Sequence, residues 1–324
     1  MSGMPTDVSH DLVSELLLGM RLVGVQYRRI ELAPPFGLAF GEVPGRAQFH
    51  FVGRGPVVLR ARGGDLHRLE TGAAVLLPQG GAHALLSAPD APCTDVAALE
   101  SRSLCATVCA LGAPAGEAAP GGDVLVFSGC MEFDLGGMQP LVGAMPEIMR
   151  VGMLLDRYPE LRPMLEAMAR ESQARRAGFA GILARLADVV SALIVRGWVE
   201  CGCGDATGWV QALRDPKLAG VLLAMHRDPG RNWSVAELAA VMGASRSAFA
   251  ERFLAVTGMT PLRYLAELRM RLAAQWIGRD REPIEAVALR LGYGSLAAFS
   301  RAFKRVAGRP PGALRAQARA AEPA

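Results

Sequence analysis

The chain has 324 residues, 51% of them apolar, which allows two domains that each bury a core. No run of 18 or more apolar residues occurs, and no basic start leads into an apolar stretch, so neither a membrane span nor a signal peptide is expected, and the expected place is the cytoplasm. The net charge of +4 is uneven: residues 211–324 carry 18 Lys+Arg against 9 Asp+Glu, a net of +9, whereas residues 1–210 carry 17 against 22, a net of −5. A basic C-terminal module beside a mildly acidic one suits a polyanion-binding part joined to a part with another task.

Residues 11–140 hold short apolar runs broken by Gly and Pro, among them Phe49–Val52, Val57–Leu59, Ala74–Leu77 and Val124–Phe127. Runs of this length with this punctuation predict the strands of a sandwich or barrel. The six cysteines, Cys93, Cys105, Cys109, Cys130, Cys201 and Cys203, form no Cys-x-x-Cys pair and no zinc-finger spacing with His, so reduced thiols are expected rather than a disulfide framework. From residue 145 the period changes. Ile182, Leu186, Val189, Val190 and Leu193 recur at helical spacing and predict helices near 160–175 and 178–198. The Gly-rich stretch 201–212 reads as a linker. The expected organisation is an α+β two-domain chain, with a β-rich domain over 1–200 and an all-α domain over 213–324.

The all-α part contains a repeat with a period of 50 residues. Ser245, Phe249, Phe253, Gly258 and Pro261 recur as Ser295, Phe299, Phe303, Gly308 and Pro311, with identical offsets from the serine. Ala239 and Gly243 ahead of the first serine match Ala288 and Gly292 ahead of the second, which has one extra residue in the turn. Two copies of one supersecondary unit follow. Ser234 and Glu237 predict a capping box opening a helix that Gly243 ends. Ser245 caps the next helix, whose Phe249 and Phe253 share a face. In the second copy Pro283 opens a helix, Gly292 closes it, and Ser295 starts the next. Helix, short Gly-containing turn, helix is the helix-turn-helix pattern, here twice, near 232–258 and 281–308. Thr260-Pro261 opens a connecting helix running to Gly278, long enough to hold two recognition helices about one DNA turn apart.

These two units resemble the DNA-binding domain of the AraC/XylS regulators. The stretch Gly292–Arg305, followed by Gly308-Arg-Pro-Pro311, is similar to that family's signature, and the resemblance covers residues 211–316. It implies double-stranded DNA as partner, with DNA-facing positions at Arg246, Ser247, Ala250 and Glu251 in the first unit and Leu296, Ala297, Ser300 and Arg301 in the second. Arg301 suits a bidentate bond to guanine, and Lys304 and Arg305 suit phosphates. Glu251 stands where many members place Arg, so the second helix is expected to contribute more affinity. The family reading also admits RNA polymerase as a partner and a homodimer formed through the helices near 160–198.

Residues 11–140 resemble the cupin-type sensor domain of one branch of that family, on Phe49–Gly55, Gly72–Gly80, Ala82-His83 and Gly129-Cys130. The resemblance implies a small double-sheet barrel with a pocket. His50, His83 and Cys130 are candidate ligands for zinc or another transition metal. Cys93, Cys105 and Cys109 are candidate redox sensors, and an organic ligand in the barrel is the third effector class. The alternative function is a cupin-type metalloenzyme fused to a helix-turn-helix unit. Against it, His50 is followed by Phe51-Val52, not by the second His of an iron triad, so no enzyme is expected. A DNA-repair methyltransferase with an AraC-like unit would need a Cys-rich zinc site and a Pro-Cys-His-Arg active site, and neither sequence occurs.

Overall fold

The structure, a computed structural model, describes residues 20–43, 45–112, 124–135, 140–155, 157–174, 176–201, 208–278 and 280–320, together with Val13, Ser14 and Leu17. These divide into two compact units: one joins Met20–Asp134 to Met145–Cys201, and the other holds Leu135–Ala144 with the chain beyond Cys201.

Among the described residues of the first unit, twelve strands form two sheets. A seven-stranded sheet has the order β12 (Met149–Arg150), β6 (Ala74–Leu77), β3 (Arg46–Arg54), β11 (Val124–Asp134), β1 (Arg21–Leu32), β10 (Val108–Gly112) and β9 (Ser101–Cys105). A five-stranded sheet has the order β5 (Leu66–Leu69), β4 (Val57–Arg60), β7 (His83–Leu86), β2 (Gly37–Phe40) and β8 (Thr94–Asp95). The pairings are antiparallel except β1 with β10 and β2 with β8. Alternation along the strands explains how the sheets stack. Ile30, Val52 and Val126 of the large sheet meet Leu38, Leu59 and Leu85 of the small one in a single apolar core. The opposite face of the large sheet carries Tyr27, Phe49, Phe51 and Phe127, all buried, and two helices cover it: α2 (Leu161–Ala174) and α3 (Phe179–Cys201). β3 is therefore buried on both faces, and its sequence reads as a continuous apolar run around a few polar residues.

The second unit is helical. After α1 (Pro140–Ala144) it contains α4 (Trp209–Arg214), α5 (Pro216–Arg227), α6 (Val235–Met242), α7 (Arg246–Thr257), α8 (Pro261–Gly278), α9 (Ile284–Arg290), α10 (Leu296–Ala307) and α11 (Pro311–Ala320). The expected linker over 201–212 differs in part. Residues 202–207 lie outside the described residues, and from Trp209 the chain is helix α4, started at Gly208 with φ +64°. Composition marked the glycines of that stretch, but the buried contacts of Val210, Ala212 and Leu213 turn its end into a helix.

Candidate functional site

Both helix-turn-helix units form where local chemistry dictates. Ser234 Oγ accepts from Glu237 N at 3.2 Å while the Glu237 carboxylate accepts from Ser234 N at 2.8 Å, a complete capping box at the start of α6. Hydrogen bonds from Arg231 and Ser234 hold the Glu237 carboxyl down at about 2. Gly243, at φ +67°, ends α6 in the left-handed conformation. Ser245 and Ser295 cap α7 and α10 by accepting from Ala248 N at 3.3 Å and Ala298 N at 3.2 Å, and Gly258 and Gly308 end them. Phe249, Phe253, Phe299 and Phe303 are wholly buried, which fixes which face of each helix points outward.

On the outward faces the expected DNA-facing residues are accessible. Arg246, Ser247 and Glu251 on α7 are exposed and Ala250 is half-buried. Leu296, Ala297 and Arg301 on α10 are exposed and Ser300 is half-buried. Lys304 and Arg305 are exposed in the last turns of α10. Among the described residues no carboxylate pairs with Arg301, Lys304 or Arg305, so their charge is available to a polyanion. The first unit differs. Arg252, one residue beyond Glu251, is tied to Asp215 at the start of α5, so among the described residues α7 presents the Glu251 carboxylate and one guanidinium without an acidic partner, Arg246. The two outward faces therefore differ in charge, and the Arg252–Asp215 pair is a cause of that difference that spacing did not show.

Helix α8 belongs to both cores. Its Tyr264 packs on Phe253 of the first unit, with ring centroids 5.8 Å apart, and His226 Nε2 of α5 lies 2.6 Å from Tyr264 Oη. Farther along, Met270, Ala273 and Ile277 pack with Phe299 and Phe303 of the second. Two further ties carry no mark in the sequence. Arg269 on α8 donates to the carbonyls of Pro229 at 2.6 Å and Arg231 at 2.8 Å, and it lies over the Tyr293 ring at 5.9 Å. Gly230 and Gly292, the latter at φ +77°, bring the two turns so close that a Cβ on Gly292 would stand 2.1 Å from the Gly230 carbonyl oxygen. These contacts hold α7 and α10 in one arrangement, which two successive reading heads require.

In the β-sheet unit the structure brings His50 and His83 together across the two sheets. His83 Nδ1 lies 2.8 Å from the Gly81 carbonyl oxygen, so that nitrogen carries the proton and donates. The His83 Nε2 lone pair then accepts from His50 Nε2 at 2.8 Å, and His50 Nδ1 accepts from Ser128 Oγ at 2.7 Å. Burial, and for His50 also the neighbouring His83 and Arg28, lowers both imidazoles below their ordinary range, so the pair is neutral at pH 7. Phe40 stacks on His83 at 4.9 Å.

The expected metal trio is not assembled. Cys130 pairs with Gln48, one rung along the sheet from His50, and among the described residues no three His, Cys, Asp or Glu side chains stand close enough to hold an ion. Two imidazoles that satisfy each other fall short of the three or more protein ligands zinc takes. The expected redox trio is dispersed too. Cys105 pairs with Val108 across the β9–β10 turn, and directly paired residues share a face. Cys109, next to Val108, packs against the interior core instead, so the two thiols lie on opposite faces of the hairpin. Exposed Cys93 accepts from Arg60 at 3.0 Å.

Residues 11–200 match the family described as Cupin, and residues 238–317 match the family described as a helix-turn-helix domain. A putative AraC-like transcription regulator of Streptomyces lividans is 35% identical over 198 residues, which is 61% of this chain and 65% of that protein. The RCS-specific HTH-type transcriptional activator RclR of Escherichia coli K12 is 32% identical over 166 residues, 51% of this chain and 58% of that protein. In both cases the match spans less than two thirds of the relative's length. The solved DNA-binding domain of AdpA, in complex with a target DNA, is 33% identical and covers 33% of this chain and 95% of that chain, with a TM-score of 0.31.

Proposed function

Because this chain belongs to the AraC/XylS family, in the branch that joins a cupin domain to paired helix-turn-helix units, we propose that it is a sequence-specific DNA-binding transcription regulator whose cupin domain receives the signal. The observation that carries this reading is the outward face of α10, where Arg301, Lys304 and Arg305 stand exposed and without acidic partners among the described residues. Arg301 has the reach and donor geometry for a guanine edge, while Lys304 and Arg305 set the helix against phosphates.

Arg301→Ala is expected to weaken binding to a cognate duplex by about 1–3 kcal/mol and to relax the preference at one base pair. Glu251→Ala is expected to leave affinity unchanged or raise it, because it removes a negative charge from a surface that meets phosphates. Fluorescence anisotropy against a panel of single-base variants reads both. A loss from Arg301→Ala that is equal for every duplex would mean that this guanidinium touches only the backbone.

A homodimer is part of the proposal. Ile182 and Val189 on α3 are 45% and 44% exposed, and with half-buried Leu186 between them they make an apolar stripe at helical spacing. For the effector, a ligand inside the β-sheet unit is favoured over a disulfide between Cys105 and Cys109, whose side chains point apart. The metalloenzyme alternative is not favoured, since His50 and His83 spend their nitrogens on each other.

A further inference from the structure

Polar side chains enter the interior of the β-sheet unit on two adjacent rungs of the large sheet. One rung runs Cys109, Arg28, Ser128, His50 and Val75 across β10, β1, β11, β3 and β6. The next runs Gln26, Cys130, Gln48 and Leu77. Ile30, Val126 and Val52 lie two residues along from Arg28, Ser128 and His50 and belong to the interior core, so Arg28, Ser128 and His50 share that face, and exposed Gln26 marks where it opens to solvent.

Among the described residues, two of these side chains make no hydrogen bond or ion pair. Gln48 is only 3% exposed, yet its amide makes no hydrogen bond among the described residues. Its N and O atoms are not among the side-chain atoms buried without a partner, so the amide keeps an accessible face that a ligand can meet. Arg28 is half-buried, and among the described residues no carboxylate pairs with it. The Ser128 hydroxyl is spent on His50, and the imidazole chain ends on the Gly81 carbonyl, so these groups do not answer the guanidinium.

We infer that these two rungs bind the carboxylate of a small organic acid, with Arg28 and Gln48 as its donors. Arg28 takes the carboxylate through parallel N–H···O bonds, and the Gln48 amide supplies a further N–H. One cation matches one negative charge, whereas a phosphate dianion would be left with charge uncompensated in a half-buried site. Leu77 and Cys130 of the second rung give the acid's carbon skeleton an apolar wall. The inference rests on the reading of this unit as the sensor, and it names the chemistry of the signal.

Calorimetric titration of the full chain without DNA tests it, with benzoate, hexanoate and their neutral amides as probes. At least one of the two acids is expected to bind while its amide does not. Arg28→Gln is expected to weaken the acid by at least about tenfold, with Arg28→Lys recovering part of the loss. Gln48→Leu, which alters no charge, is expected to weaken it as well. Failure of both acids, equal binding of acid and amide, or tighter binding of inorganic phosphate would overturn the assignment. So would an unaltered affinity in folded Arg28→Gln. If Arg28→Gln does not fold, Gln48→Leu decides, and an unchanged affinity there sinks the site. Duplex binding, measured separately on the same proteins without acid, is expected to be the same in wild type and Arg28→Gln. Loss of duplex binding in wild type would count against the regulator reading and leave the acid site standing.

Discussion

Phe303→Ala is expected to cost the helical unit about 3–5 kcal/mol, and with it most of the affinity for DNA. Phe303 is fully buried on α10, in a core with Phe299, Val287 and Leu291 and with Met270, Ala273 and Ile277 of α8. Truncating it leaves a void beneath the helix that carries Arg301, and the neighbours come from three helices whose positions the turns already fix, so collapse can fill little of it. Thermal melting followed by circular dichroism reads the stability, and anisotropy reads the affinity. The equivalent Phe253→Ala is expected to destabilise comparably, since Phe253 is buried against Phe249 and Tyr264. A Phe303→Ala protein that melts like wild type would mean that α10 is not held by this core.

The second large effect is on pH. Burial pushes His226 down from 6.5 to about 4, with Arg271 adding to the shift. The unfolded chain therefore binds a proton near pH 6.5, while the folded one resists it until about pH 4. The unfolded state holds more protons through that window, so stability present above pH 6.5 is lost as pH falls toward 4. The full shift corresponds to about 3 kcal/mol, and because the ring is not wholly shielded from water, about 2–3 kcal/mol is expected. His226 meets Tyr264 at 2.6 Å at the joint between α5 and α8, so the loss falls on the first helix-turn-helix unit. Melting temperature measured from pH 7.5 to 4 is expected to fall less steeply in His226→Gln than in wild type. Identical slopes would show that another group carries the acid sensitivity.

The helix boundaries of the C-terminal unit were legible because capping is local. Ser234, Ser245 and Ser295 each act on the amide three residues away, and Gly243, Gly258 and Gly308 each adopt the one conformation that favours glycine at a helix end. The repeat of buried Phe pairs was legible for the same reason, since a spacing of four residues fixes a helix face. What joins the units was not. Arg269 reaches the carbonyls of Pro229 and Arg231, some forty residues back, and nothing near it in the chain marks it as different from any helix Arg. The β-sheet unit shows the same limit more strongly. His50 and His83 stand out together in the sequence as strand histidines, but their mutual hydrogen bond depends on how two sheets stack. Strand membership alone joins Cys130 to them, and the register β11 takes against β3 sets it beside Gln48 instead. Cys105 and Cys109 looked like a pair at a spacing of four, and the hairpin register separates them by face. Arg28 and Gln48 carried no signal at all, because a missing partner can be recognised only after every neighbour has been placed.

On this reading α7 and α10 each lay their outward face on base edges of one duplex, and the full chain selecting bound sequences from a random duplex library puts that to the test. An enriched site with two blocks of preference about 10 base pairs apart is expected, in which Arg301→Ala blurs a position in one block and leaves the other unchanged. A bound pool with no sequence preference, or a single block indifferent to Arg301, would overturn the reading.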